Sequence, residues 1–276
     1  NNGIASKVIS EADIKLRKEV LKMSVTNSNL TLLTDLYELI IQPENIMLAY
    51  RNIKANTGSH TAGTNGKTTT TYMIKSMLEA AGHKTGLIGT IESIIGDKVT
   101  PASNTTPESI VMQRTLKEMV DAGLDSVVME VSSQGLMLDR VAGISFDYGI
   151  FTNLSEDHIG PNEHKDFAEY LGWKAKLFTL CKTGIFNVDD AYCEEILKGH
   201  TCDVVTYGMK NGADYRAENL ELFKKDGCLG ITYDLKGNYE EHVMVSLPGE
   251  FSVHNSLSAI AVAKEMGVPM EKILEI

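Results

Sequence analysis

The sequence predicts an α/β fold: a doubly wound, mostly parallel sheet, a small antiparallel β region, and a helical segment ahead of both. Three observations predict it. From about residue 64 onward, helical and strand patterns alternate. The strand patterns are short and apolar, as in residues 125–131, DSVVMEV, which suits a strand buried on both faces. Residues 1–63 carry helical patterns alone and end in a polar loop, NTGSHTAG at 56–63.

Residues 11–23, 29–41 and 43–56 read as three helices. Residues 67–82 place Tyr72, Ile74, Met77 and Leu78 at helical spacing, with Gly82 as the stop. A strand is expected over 85–93, then a helix over 106–123 with Thr106 as N-cap, Pro107 in its first turn and Gly123 at its end. Strands are expected next at 125–131 and 146–154, a helix at 163–178, a strand at 184–188, a helix at 190–199 and a strand at 203–208. Residues 215–223, 229–235 and 242–247 alternate and are separated by KDG and KGN, the mark of antiparallel hairpins. A helix over 252–267 and the start of another at 269 close the sequence, which reads as a truncation in mid-helix. No internal repeat is visible.

With 276 residues and 43% hydrophobic content, the chain can bury a sizeable core. A net charge of −11 argues against a general nucleic-acid binder. The four cysteines, Cys181, Cys193, Cys202 and Cys228, lack the C-x-x-C spacing of zinc or redox sites and read as buried thiols of a reducing compartment. No run reaches the ~18 apolar residues that would span a membrane, and the N-terminus lacks a signal peptide's apolar stretch. A cytoplasmic monomer, without membrane or nucleic-acid partners, is expected.

Residues 63–71, GTNGKTTTT, carry the sharpest chemistry. Gly63, Thr64, Asn65 and Gly66 allow a turn whose amides point at phosphate oxygens, with Lys67, Thr68 and Thr69 at the start of the next helix. Lys67 would reach the β- and γ-phosphates, and the Thr68 hydroxyl suits Mg2+. The spacing departs from the common phosphate-loop form, because Thr61 stands where the first glycine belongs. A plain glycine turn capping a helix explains four consecutive threonines poorly.

The run G-T-N-G-K-T-T-T resembles the ATP loop of the Mur ligases, the amide-forming enzymes of peptidoglycan precursor synthesis. NTTPES at 104–109, MEVSSQGLMLDRV at 129–141, FTNLSEDH at 151–158, WKAKLF at 173–178, IFNVDD at 185–190 and PGEFSVHNSLSAIAVA at 248–263 agree, in order, with the UDP-N-acetylmuramoyl-tripeptide synthetases. The resemblance implies that residues 63–276 form a central ATP-binding domain. ATP phosphorylates a carboxylate of UDP-MurNAc-dipeptide, and the amine of diaminopimelate or lysine attacks the acyl phosphate. It also implies that Thr68 and Glu130 hold Mg2+, with His158 and a carbamoylated Lys174 at a second metal. Lys67, Lys174 and His158 would carry the catalysis. Asn104, Thr105, Thr106, Ser132 and Arg140 would bind substrate, and Asn255 would lie near the adenine. Three positions depart from the family pattern: Trp173 replaces a small residue, Gln134 a histidine and Leu138 a glutamine.

Residues 16–64 instead resemble the leading segment of group II intron reverse transcriptases, so the sequence reads as two families joined near residue 63. Residues 1–62 are then a helical segment foreign to the ligase. They supply no β-branched run before Gly63, and the sheet is expected to lack the strand that normally leads into such a loop. Three other readings account for less of the sequence: a non-catalytic ATP-binding scaffold, a folylpolyglutamate synthase-like ligase, and an RNA-binding maturase fragment. The last lacks the aromatic-x-Asp-Asp hairpin that a polymerase needs, since residues 187–190 read NVDD.

Overall fold

The computed structural model describes residues 62–155, 159–160, 163–225 and 228–276. The three helices expected before residue 62 lie outside them. Helix α1 spans Ala62–Ala80 and buries Ile74, Met77 and Leu78 on the expected face. Gly82, at φ 95°, takes the left-handed conformation that ends it.

The single strand expected over 85–93 is two, β1 (Thr85–Ile88) and β2 (Glu92–Ile95), and a third, β3 (Lys98–Pro101), comes after them. The Gly89 amide donates to the Glu92 carbonyl at 3.0 Å and reverses the chain. β3 is exposed along its whole length, so no apolar alternation marked it. Helix α2 (Ser109–Asp121) starts later than Thr106 and has Glu108 at its N-cap, without a side-chain cap. The expected cap role of Thr106 fails because its hydroxyl is engaged elsewhere.

Next come β4 (Ser126–Met129), α3 (Ser133–Met137) and β5 (Phe146–Phe151). Helix α4 (Phe167–Lys176) begins at Asp166, whose carboxylate accepts the Glu169 amide at 2.8 Å, and a 3-10 turn at Leu177–Thr179 extends it. The chain continues through β6 (Cys181–Asn187), a short α5 (Cys193–Leu197) and β7 (Asp203–Gly208). Three more strands are β8 (Tyr215–Lys225), β9 (Cys228–Gly237) and β10 (Glu241–Val245). Helices α6 (Glu250–Glu265) and α7 (Met270–Leu274) end it.

The strands form two sheets, ordered β3-β2-β1-β4 and β10-β9-β8-β7-β6-β5. β1 and β4 pair in parallel, as do β5 through β8, while β1–β2–β3 and β9–β10 are antiparallel. Both faces of the larger sheet are covered. Ile185 packs into the cluster formed with α1 and α6, and its neighbour Phe186 packs into the cluster formed with α4 and α5. Cys181, Cys193 and Cys202 are buried unpaired thiols, and burial pushes the Cys181 thiol up to about 12. Among the described residues, no helix is long and apolar enough to cross a membrane.

Among the described residues the strands divide into two sheets, and the burial expected of one strand is not met. β1 is wholly buried, but β4 is not, and Val127 is 38% exposed. Burial of residues 125–131 on both faces therefore does not occur. β4 bonds to β1 and β5 bonds to β6, and among the described residues no strand lies between β4 and β5. Ala62, directly ahead of Gly63, is already helical.

Helix α6 is buried nearly all round, through Ser252, Asn255, Ser256 and Ser258 as well as its apolar residues, so it is a core helix rather than a plain amphipathic one. Leu257, fully buried there, should cost about 2–5 kcal/mol when truncated to alanine. A urea unfolding curve of Leu257→Ala checks this, with a lowered midpoint expected.

Candidate active site

The site is organised around Glu130, one residue past β4. Its amide donates to the Ile88 carbonyl, extending the β1–β4 ladder by one rung. That places the side chain where it is 2% exposed. Oε1 accepts the Thr90 amide at 2.8 Å and the Thr68 hydroxyl at 3.0 Å, and Oε2 accepts the Thr90 hydroxyl at 2.9 Å. A Cβ on Gly89 would stand 2.8 Å from Oε1, so the close approach requires glycine there.

Thr68 and Glu130, expected to hold the metal, are thus neighbours. One carboxylate and one hydroxyl fit Mg2+, which keeps most of its waters and takes the remaining ligands from phosphate oxygens. Among the described residues no group of three or more His, Cys, Asp or Glu could form an all-protein cage. His158, assigned to a second metal by resemblance, lies outside the described residues.

Beneath the carboxylate, Thr106 is fully buried. Its hydroxyl donates to the Glu130 carbonyl at 3.1 Å and accepts the Ser132 amide at 2.9 Å. Ser132 Oγ in turn accepts the Gly135 amide at 3.0 Å and caps α3. Both residues were expected to bind substrate, and here both hydroxyls hold the backbone between β4 and α3.

A cavity of about 330 Å3 opens beside this network. It gathers Lys67, Asn104, Thr105, Ser132, Arg140 and Lys174, residues separated by more than a hundred positions in the chain. Arg140 donates to the Thr106 carbonyl at 3.0 Å and pairs with Glu108 at 2.5 Å, and its buried Nε has no partner among the described residues. Lys174 Nζ donates to the Asn153 carbonyl at 3.1 Å and lies 5.0 Å from the centre of the Tyr170 ring. Lys176 faces away, over the Trp173 ring and 3.6 Å from Asp139. Of the two lysines, Lys174 lines the cavity. Gln134 lines the cavity, while Leu138 is 50% exposed.

The structure adds His164, which sequence reasoning missed. It is 1% exposed, lines the same cavity, and sets Nε2 2.9 Å from Ser133 Oγ with its ring 5.2 Å from Tyr170. The sequence placed it in the helix expected over 163–178, but that helix starts at Phe167 and His164 lies in the connection before it. Asp189 and Asp190 prove architectural: Asp190 accepts the Leu154 and Tyr192 amides, and Asp189 accepts the Lys210 amide and faces His254 Nε2 at 2.9 Å.

One expectation changes. Gly63, Thr64, Asn65 and Gly66 do not form a loop but continue helix α1, so the amides of Gly66, Lys67, Thr68 and Thr69 point along the helix axis rather than into a phosphate cradle. Asn255 lies on α6 with Oδ1 accepting the Thr70 hydroxyl at 3.4 Å, and a Cβ on Gly66 would stand 3.6 Å from that oxygen. Its Nδ2 is buried without a partner among the described residues. The side chains that suit a metal-bound triphosphate are assembled, and the backbone that would cradle it is wound into helix.

The chain is similar to known proteins in sequence and in fold. A family model described as Mur ligase middle domain matches residues 61–263. Over 212 residues the chain is 46% identical to a UDP-N-acetylmuramoyl-L-alanyl-D-glutamate–2,6-diaminopimelate ligase of Clostridium acetobutylicum, covering 76% of this chain and 43% of that protein. A ligase of the same name from Clostridium tetani is 46% identical over 211 residues, with 76% and 42% covered. The chain thus spans less than half the length of these curated relatives. A solved structure of a ligase of that name superposes with a TM-score of 0.69 at 26% identity, over 77% of this chain and 44% of the other. A MurF structure from Acinetobacter baumannii shares the fold, with a TM-score of 0.60 at 19% identity, over 77% of this chain and 43% of the other.

Thr106→Val should leave the Ser132 amide and the Glu130 carbonyl without a partner in a buried site. That loss should cost about 1–3 kcal/mol per group. The expected outcome is a lower urea midpoint with an unchanged slope, and an unchanged midpoint would contradict the network.

Proposed function

The chain belongs to the Mur ligase family, and on that premise we propose that residues 62–276 are the nucleotide-handling domain of an ATP-dependent amide ligase of peptidoglycan precursor synthesis. The acceptor would be the carboxylate of UDP-MurNAc-L-Ala-D-Glu and the incoming amine that of the third amino acid. The relatives' names point to diaminopimelate. One observation carries the reading: Thr68, Glu130, Lys67 and Lys174 come together beside a polar cavity that also holds Arg140.

Bound Mg2+ and ATP would supply the activating phosphoryl group. The chain's own residues would do the rest. Lys67 and the metal held by Thr68 and Glu130 would neutralise the negative charge that grows on the moving phosphoryl oxygens. Arg140, with its buried Nε still open to an acceptor, would orient an anionic group of the substrate. Carbamoylation of Lys174 would turn a cation into a carboxylate facing the same cavity. The surrounding Thr90, Ser132 and Thr105 hydroxyls would position the acceptor. His158 would join them from outside the described residues.

The helical state of residues 62–66 must open for the triphosphate to bind. That opening costs little, because each glycine weakens a helix by about 1 kcal/mol relative to alanine and the threonines are poor helix formers.

Two measurements test the proposal. Calorimetry should show saturable Mg-ATP binding, weakened about tenfold or more by Lys67→Ala and by Glu130→Ala. Equal binding by all three proteins would overturn it. Far-UV circular dichroism should record a loss of helix on saturation, and Gly63→Ala, which favours the helix by about 1 kcal/mol, should weaken binding about fivefold. Separately, 13C-labelled bicarbonate should give a carbamate resonance that Lys174→Ala abolishes, and no signal in the parent would rule out the modified lysine.

A further inference from the structure

Arg140 is held just past α3 by its own backbone. Its amide donates to the Gly135 carbonyl at 2.9 Å, Asp139 before it takes the left-handed conformation at φ 52°, and Val141 after it is buried. The Asp139 carbonyl accepts the Ser109 hydroxyl at 3.4 Å, which ties this turn to the first residue of α2. The Arg140 side chain is 11% exposed and lines the cavity of the candidate active site, where Lys67, Lys174 and Glu163 are the other charged residues.

Glu108 stands differently. It is the N-cap residue of α2, yet its carboxylate does not cap that helix. It reaches Arg140 Nη2 at 2.5 Å instead, with its side chain 60% exposed, and it takes no part in the cavity lining. The contact uses one prong of two. Nη2 and Nε share an edge of the guanidinium, and that edge can hold a carboxylate by two parallel bonds. Glu108 fills Nη2, the Thr106 carbonyl fills Nη1 at 3.0 Å, and Nε is buried with no partner among the described residues. An ion pair with so exposed a partner adds little to stability, while a buried donor left unbonded costs the fold. The pair therefore covers the charge of Arg140 and leaves its recognition edge half empty.

We propose that Glu108 is a displaceable occupant of Arg140: a carboxylate of the acceptor, entering from the cavity, takes the Nε–Nη2 edge with both oxygens and turns Glu108 out to solvent. The inference rests on the ligase reading above and adds to it a residue that sets specificity. The exchange favours the ligand, because the ligand makes the bond at Nε that Glu108 does not. A neutral amide has one acceptor oxygen and no charge, so it forfeits the pairing that Glu108 supplied. Glu108 thus raises the threshold for every ligand, and a two-oxygen anion is the kind that returns more than it removes. Once released, the Glu108 carboxylate still lies at the N-terminus of α2, where the helix dipole favours an anion.

The test follows the arginine Nε–H resonances of the full chain, labelled with 15N-arginine, as N-acetyl-L-alanyl-D-glutamate is added. Arg140 is assigned by the signal that Arg140→Lys removes. In the parent, saturation should move that signal and slow its exchange with solvent about tenfold or more. Glu108→Gln, which keeps the shape and the N-cap backbone but removes the competing charge, should bind the diacid about fivefold more tightly. The gain should vanish when Arg140→Lys is added, and the uncharged diamide of the same peptide should bind weakly to every variant. Equal or weaker binding of the diacid by Glu108→Gln, or a gain that survives Arg140→Lys, would overturn the proposal. So would a diacid that binds none of these proteins. Nucleotide is absent throughout, so the two readings fail separately. Saturable Mg-ATP binding without the displacement would leave the ligase reading and remove this subsite, and the displacement without Mg-ATP binding would do the reverse.

Discussion

A carboxylate withdrawn from water loses solvation worth several kcal/mol unless donors replace the water. Glu130 is such a group, and its three donors come from two separate elements: Thr68 of α1, and the Thr90 amide and hydroxyl from the turn after β1. Its carbonyl is then held by Thr106, and Thr106 holds Ser132 at the start of α3. One buried charge thus fixes the mutual positions of α1, β1, β4 and α3. The same network explains two glycines, since Gly89 must yield room to Oε1 and Gly135 must yield room to Thr106, 2.8 Å from where a Cβ would stand. In the proposed role, Thr68 and Glu130 would hold the metal, and the bonds from Thr90 would keep the carboxylate oriented for it.

The sequence was legible wherever a local rule decided the outcome. The apolar stripe of α1 and the stop at Gly82 come from spacing and turn chemistry, while the roles expected of Arg140 and Lys174 come from the family resemblance alone. Its failures share another cause. Thr106 looked like an N-cap, because a threonine before a proline usually is one, but a long-range bond to Glu130 displaced the local one. His164 was read into a helix that in fact starts at Phe167, and its burial against Ser133 depends on a contact across thirty-one positions. β3 is too exposed to leave an alternating trace. In each case the deciding influence lay beyond the local sequence, where neither propensity nor periodicity reaches.

Residues 62–66 show the same competition from the other side. A glycine-rich turn stays a turn when the segment before it is pinned in a sheet and the segment after it is pinned in a helix. Among the described residues no strand lies between β4 and β5, and the helix runs back to Ala62, one hydrogen bond per residue. The glycines that would have made the turn easy now merely make the extension weak.

A sheet divided in two would ordinarily part, and this one has a specific reason to hold. Each half has its own core, Ile88, Met112 and Met119 on one side and the clusters around Ile185 and Phe186 on the other. Between them lies α1, which does what the sheet does not. Its apolar residues Ile74 and Leu78 share a cluster with α6 and the larger sheet, while its Thr68 is bonded to the carboxylate at the end of the smaller one. Thr70, bonded to Asn255, adds a second polar tie to α6. The residues that would handle phosphate and metal are therefore also the residues that join the two half-sheets. Any opening of the first turns of α1 pulls on that joint through Thr68, so the geometry of the candidate active site and the hold between the two half-sheets are set by the same few bonds.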